Sequence, residues 1–298
     1  MDLISIRDLE KKDIEKILFT AETFEKGKIN RYEGKILATL FFEASTRTRM
    51  SFQSACIKLG MNYIDLAPEA SSLKKGESFV DTIKVVSGYS DLLVVRHPKE
   101  GSARLAADVS KVPVINGGDG GNQHPTQTLI DLYTIKKSKG KLQGLNVTLV
   151  GDLKHARTMQ SLVYALGMFG SNLTLISPPG LELDKHLVDE IENKFKIKIK
   201  TKNELDIKDA DVVYMCRVQE ERFADPYEAK RVKGQFTLKA EHLKDAKQDM
   251  IVMNPLPRMS EIPVEIDETK NARYFEQAHY GVPVRMAVID YVLSKSGV

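Results

Sequence analysis

The stretch Ile36-Leu37-Ala38-Thr39-Leu40-Phe41-Phe42-Glu43-Ala44-Ser45-Thr46-Arg47-Thr48-Arg49-Met50 decides how this chain folds. Residues 36–42 are an apolar run of strand length, and Ser45 to Arg49 are five polar residues that follow it after Glu43-Ala44. Beyond them Met50, Ala55, Ile57 and Leu59 fit one side of a helix that Gly60 can close. A strand that feeds hydroxyls and guanidiniums into a helix start makes an anion-binding corner. The free backbone N–H groups and the positive end of the helix dipole point at the ligand. Ser and Thr add neutral donors, and Arg adds a planar fork suited to phosphate.

The same alternation continues outward. Ile14, Ile17, Leu18, Ala21 and Phe24 give a first amphipathic helix. Strands are expected at 36–42, 62–66, 91–95, 112–115, 146–150, 172–176, 197–200, 211–216 and 250–253. Helices are expected at 47–59, 78–88, 102–109, 125–138, 157–169, 184–194, 226–233 and 238–243, with a helical tail from Val282 to Leu293. Short apolar runs alternating with helices predict an α/β fold with mainly parallel sheets and crossover connections. Nine strands exceed one comfortable sheet, so two doubly wound domains are expected, each a mainly parallel sheet flanked by helices. The first spans 1–125 and takes the C-terminal helix 281–298 packed back on it, and the second spans 126–280. Gly117-Gly118-Asp119-Gly120-Gly121 reads as the turn that ends the fourth strand.

Composition narrows the function classes. The chain has 298 residues, 42% hydrophobic and 29% charged, the balance of a globular protein with ordinary cores. A net charge of +3 is too small for bulk attraction to nucleic acid or anionic membrane. The Lys-rich segment 194–202 reads as a solvated strand edge, not a nucleic-acid stripe. Cys56 and Cys216 sit among apolar neighbours and read as buried free thiols. Charges from Asp2 to Asp13 are incompatible with a secretory h-region, and Gly and Pro residues break up the uncharged run 158–181. A cytoplasmic location without membrane association is therefore expected. No zinc spacing and no dinucleotide fingerprint are present in the sequence, so neither a metal nor a cofactor is expected.

In open α/β sheets ligands lie beyond the carboxyl ends of the strands, and the polar residues of this chain collect there. Strand 62–66 leads to Ser71, Ser72, Lys74, Lys75, Gly76 and Glu77, and strand 91–95 to Arg96-His97-Pro98. Strand 112–115 leads through the glycines to Gln123-His124-Pro125-Thr126-Gln127. In the second half, Gly151-Asp152-Leu153-Lys154-His155-Ala156-Arg157 follows one strand, Arg217 and Gln219 another, and Asn254-Pro255-Leu256-Pro257-Arg258 the last. Singly, each has a bland reading as solvated surface, and His97 reads as structural. Independent surface charges do not gather at the functional edge of both sheets. Cations and hydroxyls on this scale suit an anionic acyl donor, and Arg157 and Arg217 suit a carboxylate-bearing acceptor.

Phe41 to Arg49, Arg96-His97-Pro98, His124-Pro125-Thr126-Gln127 and Pro255-Leu256-Pro257-Arg258, in this order and spacing, resemble the aspartate carbamoyltransferase catalytic chains of the aspartate/ornithine carbamoyltransferase family. Lys75-Gly76-Glu77, Gly151 to Lys154, Arg157-Thr158 and Arg217-Val218-Gln219 extend the likeness. The resemblance implies transfer of a carbamoyl group from carbamoyl phosphate to L-aspartate, opening pyrimidine synthesis. It implies that Ser45, Thr46, Arg47, Thr48 and Arg96 bind phosphate, and that Thr48, Arg96 and His124 polarise the carbonyl oxygen. Gln127 and the carbonyls of Pro255 and Leu256 would hold the carbamoyl nitrogen, and Arg157, Arg217 and Gln219 the aspartate carboxylates. Ser71 and Lys75 would come from a neighbouring subunit of a homotrimer, and regulatory chains are admitted as further partners. Ornithine carbamoyltransferases share Ser-Thr-Arg-Thr-Arg but usually carry Cys in place of Thr126 and His-Cys-Leu-Pro in place of 254–257. A silent subunit would have lost Arg47, Lys75 or His124, all present here. His155, Ala156, Gly121 and Asn254 depart from the familiar pattern, which commonly has Tyr, Gly, Ser and His there.

Overall fold

The computed structural model describes residues 1–66, 75–223, 225, 227, 231–232 and 234–296. Nine strands lie among the described residues, as the sequence reading expects, and they form two wholly parallel sheets. The first sheet has the order β2-β1-β3-β4, with β1 Ile36–Phe41, β2 Asn62–Leu66, β3 Leu92–His97 and β4 Val114–Asp119. The second has the order β7-β6-β5-β8-β9, with β5 Asn146–Gly151, β6 Asn172–Ile176, β7 Ile199–Lys202, β8 Val212–Cys216 and β9 Ile251–Met253. In each sheet the order reverses beside its first strand in sequence, β1 or β5. That is the kind of switch point where ligands bind in open α/β sheets.

Residues 36–42 read as a continuous apolar run because β1 is central and covered on both faces. The central strand β8 is likewise buried throughout. Ala38, Leu40, Leu93, Val95 and Val114 share one core with Ile83 and Ala103. Val150, Ile176, Val213, Met215 and Val252 form another with Leu238, Ile266 and Tyr274. Helices α1 Lys11–Glu25, α2 Thr46–Lys58, α3 Phe79–Val86 and α4 Ser102–Val109 belong to the first half. Helices α6 Arg157–Met168 and α7 Lys185–Phe195 belong to the second, and α5 Pro125–Lys139 follows β4. The chain divides into two compact units, Met1–Ile130 with Tyr280–Val298, and Asp131–His279.

The C-terminal helix Gly281–Ser296 packs on α1 and α2 of the first unit, as expected. Its buried Arg285 donates to Ser51 Oγ at 2.8 Å and lies over the Phe52 ring at 5.0 Å. Its Asp290 accepts from Asn30 Nδ2 and the Tyr32 hydroxyl, both at 2.7 Å.

Several boundaries differ from the sequence reading. The fourth strand begins at Val114 and runs through Gly117 and Gly118, so those glycines are strand and not turn. A side chain at Gly117 would press on Val94 and the Val95 carbonyl at 3.3 Å, so the strand is packed closely against glycine there. β3 extends to Arg96 and His97, because His97 still pairs with Asp119. β7 starts two residues late, since Lys196 caps α7 in the left-handed conformation (φ 57°) and delays the strand. The helix expected at 238–243 is the short Ala240–Lys244. The helix expected at 226–233 falls largely outside the described residues, as do Ser71, Ser72 and Lys74. Among the described residues no helix is long and apolar enough to cross a membrane.

Candidate active site

In the first unit the polar residues following β1, β3 and β4 meet at one sheet edge. Phe41 is in register with Arg96, and the Phe42 N–H donates to the Arg96 carbonyl at 2.8 Å. Ser45 is the N-cap of α2, in extended conformation, and its hydroxyl makes no capping hydrogen bond. The first turn of α2 holds no acidic residue, so its N–H groups and dipole keep their anion-binding potential. Thr46 and Arg47 are exposed in that turn, and Thr48 is buried. Ser51, one turn further, donates to the Arg47 carbonyl at 2.5 Å and takes the Arg285 bond, which ties this turn to the C-terminal helix. Arg49 pairs with Asp65 of β2, which also accepts from Thr39 Oγ1 at 2.5 Å.

Arg96 closes β3. It pairs with Glu43 at 3.1 Å and donates to the Gly117 carbonyl at 3.3 Å, so its guanidinium is held at the mouth of the β1–α2 corner. Next to it, His97 packs against Phe42 and Phe79 with ring centroids 5.2 and 5.1 Å away, and its Nδ1 accepts from the Lys99 N–H at 3.0 Å. That is the structural histidine the sequence reading expects. His124 is buried immediately before Pro125 opens α5, and Gln127 is half-buried in the first turn of that helix. Lys75 is exposed ahead of α3.

The second unit repeats the arrangement after β5, β8 and β9. Gly151 ends β5 with φ +118°, and a Cβ there would sit 1.9 Å from the Cys216 carbonyl of β8. That close approach lets the next residue serve both loops. Asp152 is fully buried, accepting the His155 N–H at 2.9 Å through Oδ1 and the Gln219 N–H at 3.0 Å through Oδ2. The His155 ring nitrogen Nδ1 lies 3.2 Å from Oδ2, and the ring packs at a tilt against Phe223 with centroids 5.0 Å apart. Arg157 is buried at the first position of α6, whose first turn is also free of acidic residues.

Arg217 is half-buried after β8 and forks onto Glu221, with 2.9 Å from Nη1 to Oε2 and a second, shorter bond from Nη2 to Oε1. The bond to Glu221 raises the Arg217 pKa, and the Arg217 bond lowers that of Glu221. After β9, Pro255 and Leu256 form a half-buried loop closed by Arg258, which pairs with Asp267 and lies over the Tyr274 and Phe275 rings. Asp152, Asn254 and Glu261 organise these loops, and the sequence reading gave none of them a role. The only sequence signal for Asp152 was its place between Gly151 and Leu153 at a strand end.

Both cysteines are buried free thiols, and burial is the main cause of their raised pKa values, about 12 for Cys56. Neither thiol is a ready nucleophile. What the two edges offer is donors and cations: hydroxyls, guanidiniums and helix N-termini in the first unit, two arginines and a carbonyl-bearing loop in the second.

Known proteins share this build. The family profile described as "Aspartate/ornithine carbamoyltransferase, carbamoyl-P binding domain" matches residues 1–137, and "Aspartate/ornithine carbamoyltransferase, Asp/Orn binding domain" matches 143–292. An aspartate carbamoyltransferase catalytic subunit of Archaeoglobus fulgidus is 52% identical, over 98% of either chain. The solved catalytic subunit of M. jannaschii aspartate transcarbamoylase is 45% identical, covers 99% of both chains and superposes with a TM-score of 0.90. The Trypanosoma cruzi aspartate transcarbamoylase in complex with carbamoyl phosphate and aspartate is 33% identical, with a TM-score of 0.92 over 98% of this chain and 96% of that one. With both halves matched and full-length relatives near 50% identity, this chain belongs to the aspartate/ornithine carbamoyltransferase family.

Proposed function

We propose that this chain transfers the carbamoyl group of carbamoyl phosphate to the amine of L-aspartate, giving N-carbamoyl-L-aspartate and phosphate for pyrimidine biosynthesis. The first unit is the carbamoyl phosphate-binding domain and the second the aspartate-binding domain. Ser45, Thr46, Arg47, Thr48 and Arg96 take the phosphate. Thr48, Arg96 and His124 donate toward the carbonyl oxygen, whose charge grows as the amine adds. Gln127 and the carbonyls of Pro255 and Leu256 take the carbamoyl N–H groups. Arg157, Arg217 and Gln219 hold the aspartate carboxylates. The new C–N bond forms as the C–O bond to phosphate breaks, and the departing phosphate accepts the amine proton. Positioning then supplies much of the rate, since effective molarity contributes up to about 7–11 kcal/mol.

The observation that carries this reading is the division of labour. The acid-free first turn of α2 beside Arg96 suits a phosphate, whereas Arg217 already holds a carboxylate, that of Glu221, in the bidentate manner a substrate would need. A cationic ornithine side chain gains nothing beside Arg217.

The active form is a cytoplasmic homotrimer in which Ser71 and Lys75 act in a neighbour's site. In support, the edge strand β2 exposes Tyr63 and Ile64, and α2 exposes Met50 and Ile57, apolar surface that association would cover. The relatives are named as catalytic subunits, so a regulatory chain is the further partner this reading admits.

The test is carbamoyl phosphate turnover with L-aspartate and L-ornithine offered separately, following carbamoylated product and phosphate. Product with aspartate alone supports the reading, and product with ornithine alone replaces the acceptor while sparing the phosphate corner. No product with either, in a folded assembly, overturns the catalytic assignment.

A further inference from the structure

The loop that follows β9 has its backbone set by one buried side chain. Asn254 is 1% exposed, and both ends of its amide are hydrogen-bonded. Its Oδ1 accepts the Leu256 N–H at 2.7 Å, and its Nδ2 donates to Glu261 Oε1 at 2.9 Å. Its own N–H donates to Gln277 Oε1 at 3.0 Å. The two side-chain partners fix which end of the amide is which, because an N–H needs an acceptor and a carboxylate needs a donor. Glu261 is also buried and gives its other oxygen to the Met259 N–H at 2.9 Å, so its two oxygens grip both sides of the Pro255–Arg258 segment. Behind this pair, buried Gln277 donates to Asp131 at 2.7 Å, and Asp131 accepts the Tyr214 hydroxyl at 2.9 Å.

The bonded segment is conformationally costly. Leu256 has φ +53°, a left-handed setting that a bulky residue adopts only when its surroundings hold it. The Asn254 bond to its N–H is the local restraint: it holds the Pro255–Leu256 peptide plane, hence the direction of the Pro255 carbonyl, and through the Leu256 backbone setting it bears on the Leu256 carbonyl that follows. We propose that Asn254 is the positioning residue that aims these two carbonyls at the substrate nitrogen, acting through its two-sided bond to the Leu256 N–H and the Glu261 carboxylate. The proposal rests on the reaction assigned above. An asparagine suits the post because it is neutral and offers donor and acceptor at once. A carboxylate here would keep Leu256 and repel Glu261. The charged and titratable groups around the pair are Arg217, Cys216 and Glu220 beside Glu261, with Asp131, Tyr214 and Arg258 on the packed elements.

The experiment compares full-length wild type, Asn254→Asp and the double variant Asn254→Asp/Glu261→Gln in steady-state kinetics across pH, with inorganic phosphate titrated calorimetrically. In Asn254→Asp two carboxylates oppose each other, and kcat is expected to fall about 10- to 100-fold at alkaline pH, the scale of a misplaced reacting group. The loss should shrink as pH is lowered, because a proton held between the carboxylates replaces the missing donor. In the double variant the new glutamine amide donates to the new carboxylate, and kcat should return to within about three-fold of wild type. Phosphate affinity should stay unchanged, since its proposed ligands lie in the other unit. Full activity of Asn254→Asp at alkaline pH overturns the proposal, as does a loss that neither acid nor the second substitution relieves. If Asn254→Asp does not fold, the double variant decides: near wild-type turnover supports the pairing, and a folded inactive protein overturns it. A wild type that binds phosphate but never carbamoylates aspartate overturns the reaction and this role together.

Discussion

Arg217 arrives with a carboxylate already in its fork. Glu221 sits four residues on, and on the proposed reading an aspartate carboxylate must displace it to gain the same two bonds. Glu221→Gln should lower the KM for aspartate, by up to about five-fold for a half-exposed ion pair of this kind, in saturation curves at constant carbamoyl phosphate. Arg47 is an exposed cation at a helix start. Arg47→Ala should cut kcat/KM by about two to three orders of magnitude, the scale of a lost anion donor, and near-normal turnover would remove it from the phosphate site. His97 has a structural consequence instead. Burial between Phe42 and Phe79, with Lys99 nearby, lowers its pKa. The unfolded chain therefore takes this proton first. The stability of the neutral ring is full above the unfolded value of about 6.5 and is lost as pH falls through the folded one. Melting temperatures should decline over that window, and His97→Phe should flatten the decline.

Each half of the site depends on how a strand end hands over to a loop or helix. Strand interiors were legible from sequence because central parallel strands bury both faces, so 36–42 and 212–216 read as apolar runs. Strand ends were not. β4 continues through Gly117 and Gly118 because backbone pairing and close packing accept glycine where propensity argues for a turn. The same close approach recurs at Gly151, where only a hydrogen clears the Cys216 carbonyl. Gly151→Ala should cost about 3 kcal/mol or more through overpacking and an unfavourable φ, read in denaturant unfolding. It should also raise the KM for aspartate, because Asp152 and its bond to the Gln219 N–H follow directly.

At the level of the whole molecule, on the reading proposed here, one chain supplies a phosphate half, an aspartate half and, to a neighbouring subunit, Lys75. Mixing Lys75→Ala with Arg47→Ala subunits should restore up to about a quarter of the sites in a trimer that shares them, since some junctions then receive both wild-type residues. Activity in the mixture above that of either parent checks this. A dead hybrid, with both variants assembled, would confine each site to a single chain.

Sequence alone determined the alternation of strands and helices, the division into two parallel sheets and the chemical inventory at their carboxyl ends. These follow from local patterning and from residue type. It could not rank that inventory. Arg49 and Arg47 look alike in Ser45 to Arg49, yet Arg49 is consumed by Asp65. Asp152, Asn254 and Glu261 look like ordinary polar residues and are buried hubs. Which polar group faces a ligand and which holds another residue in place is decided by burial and hydrogen-bond geometry among residues far apart in sequence. Those partners exist only once the chain has folded.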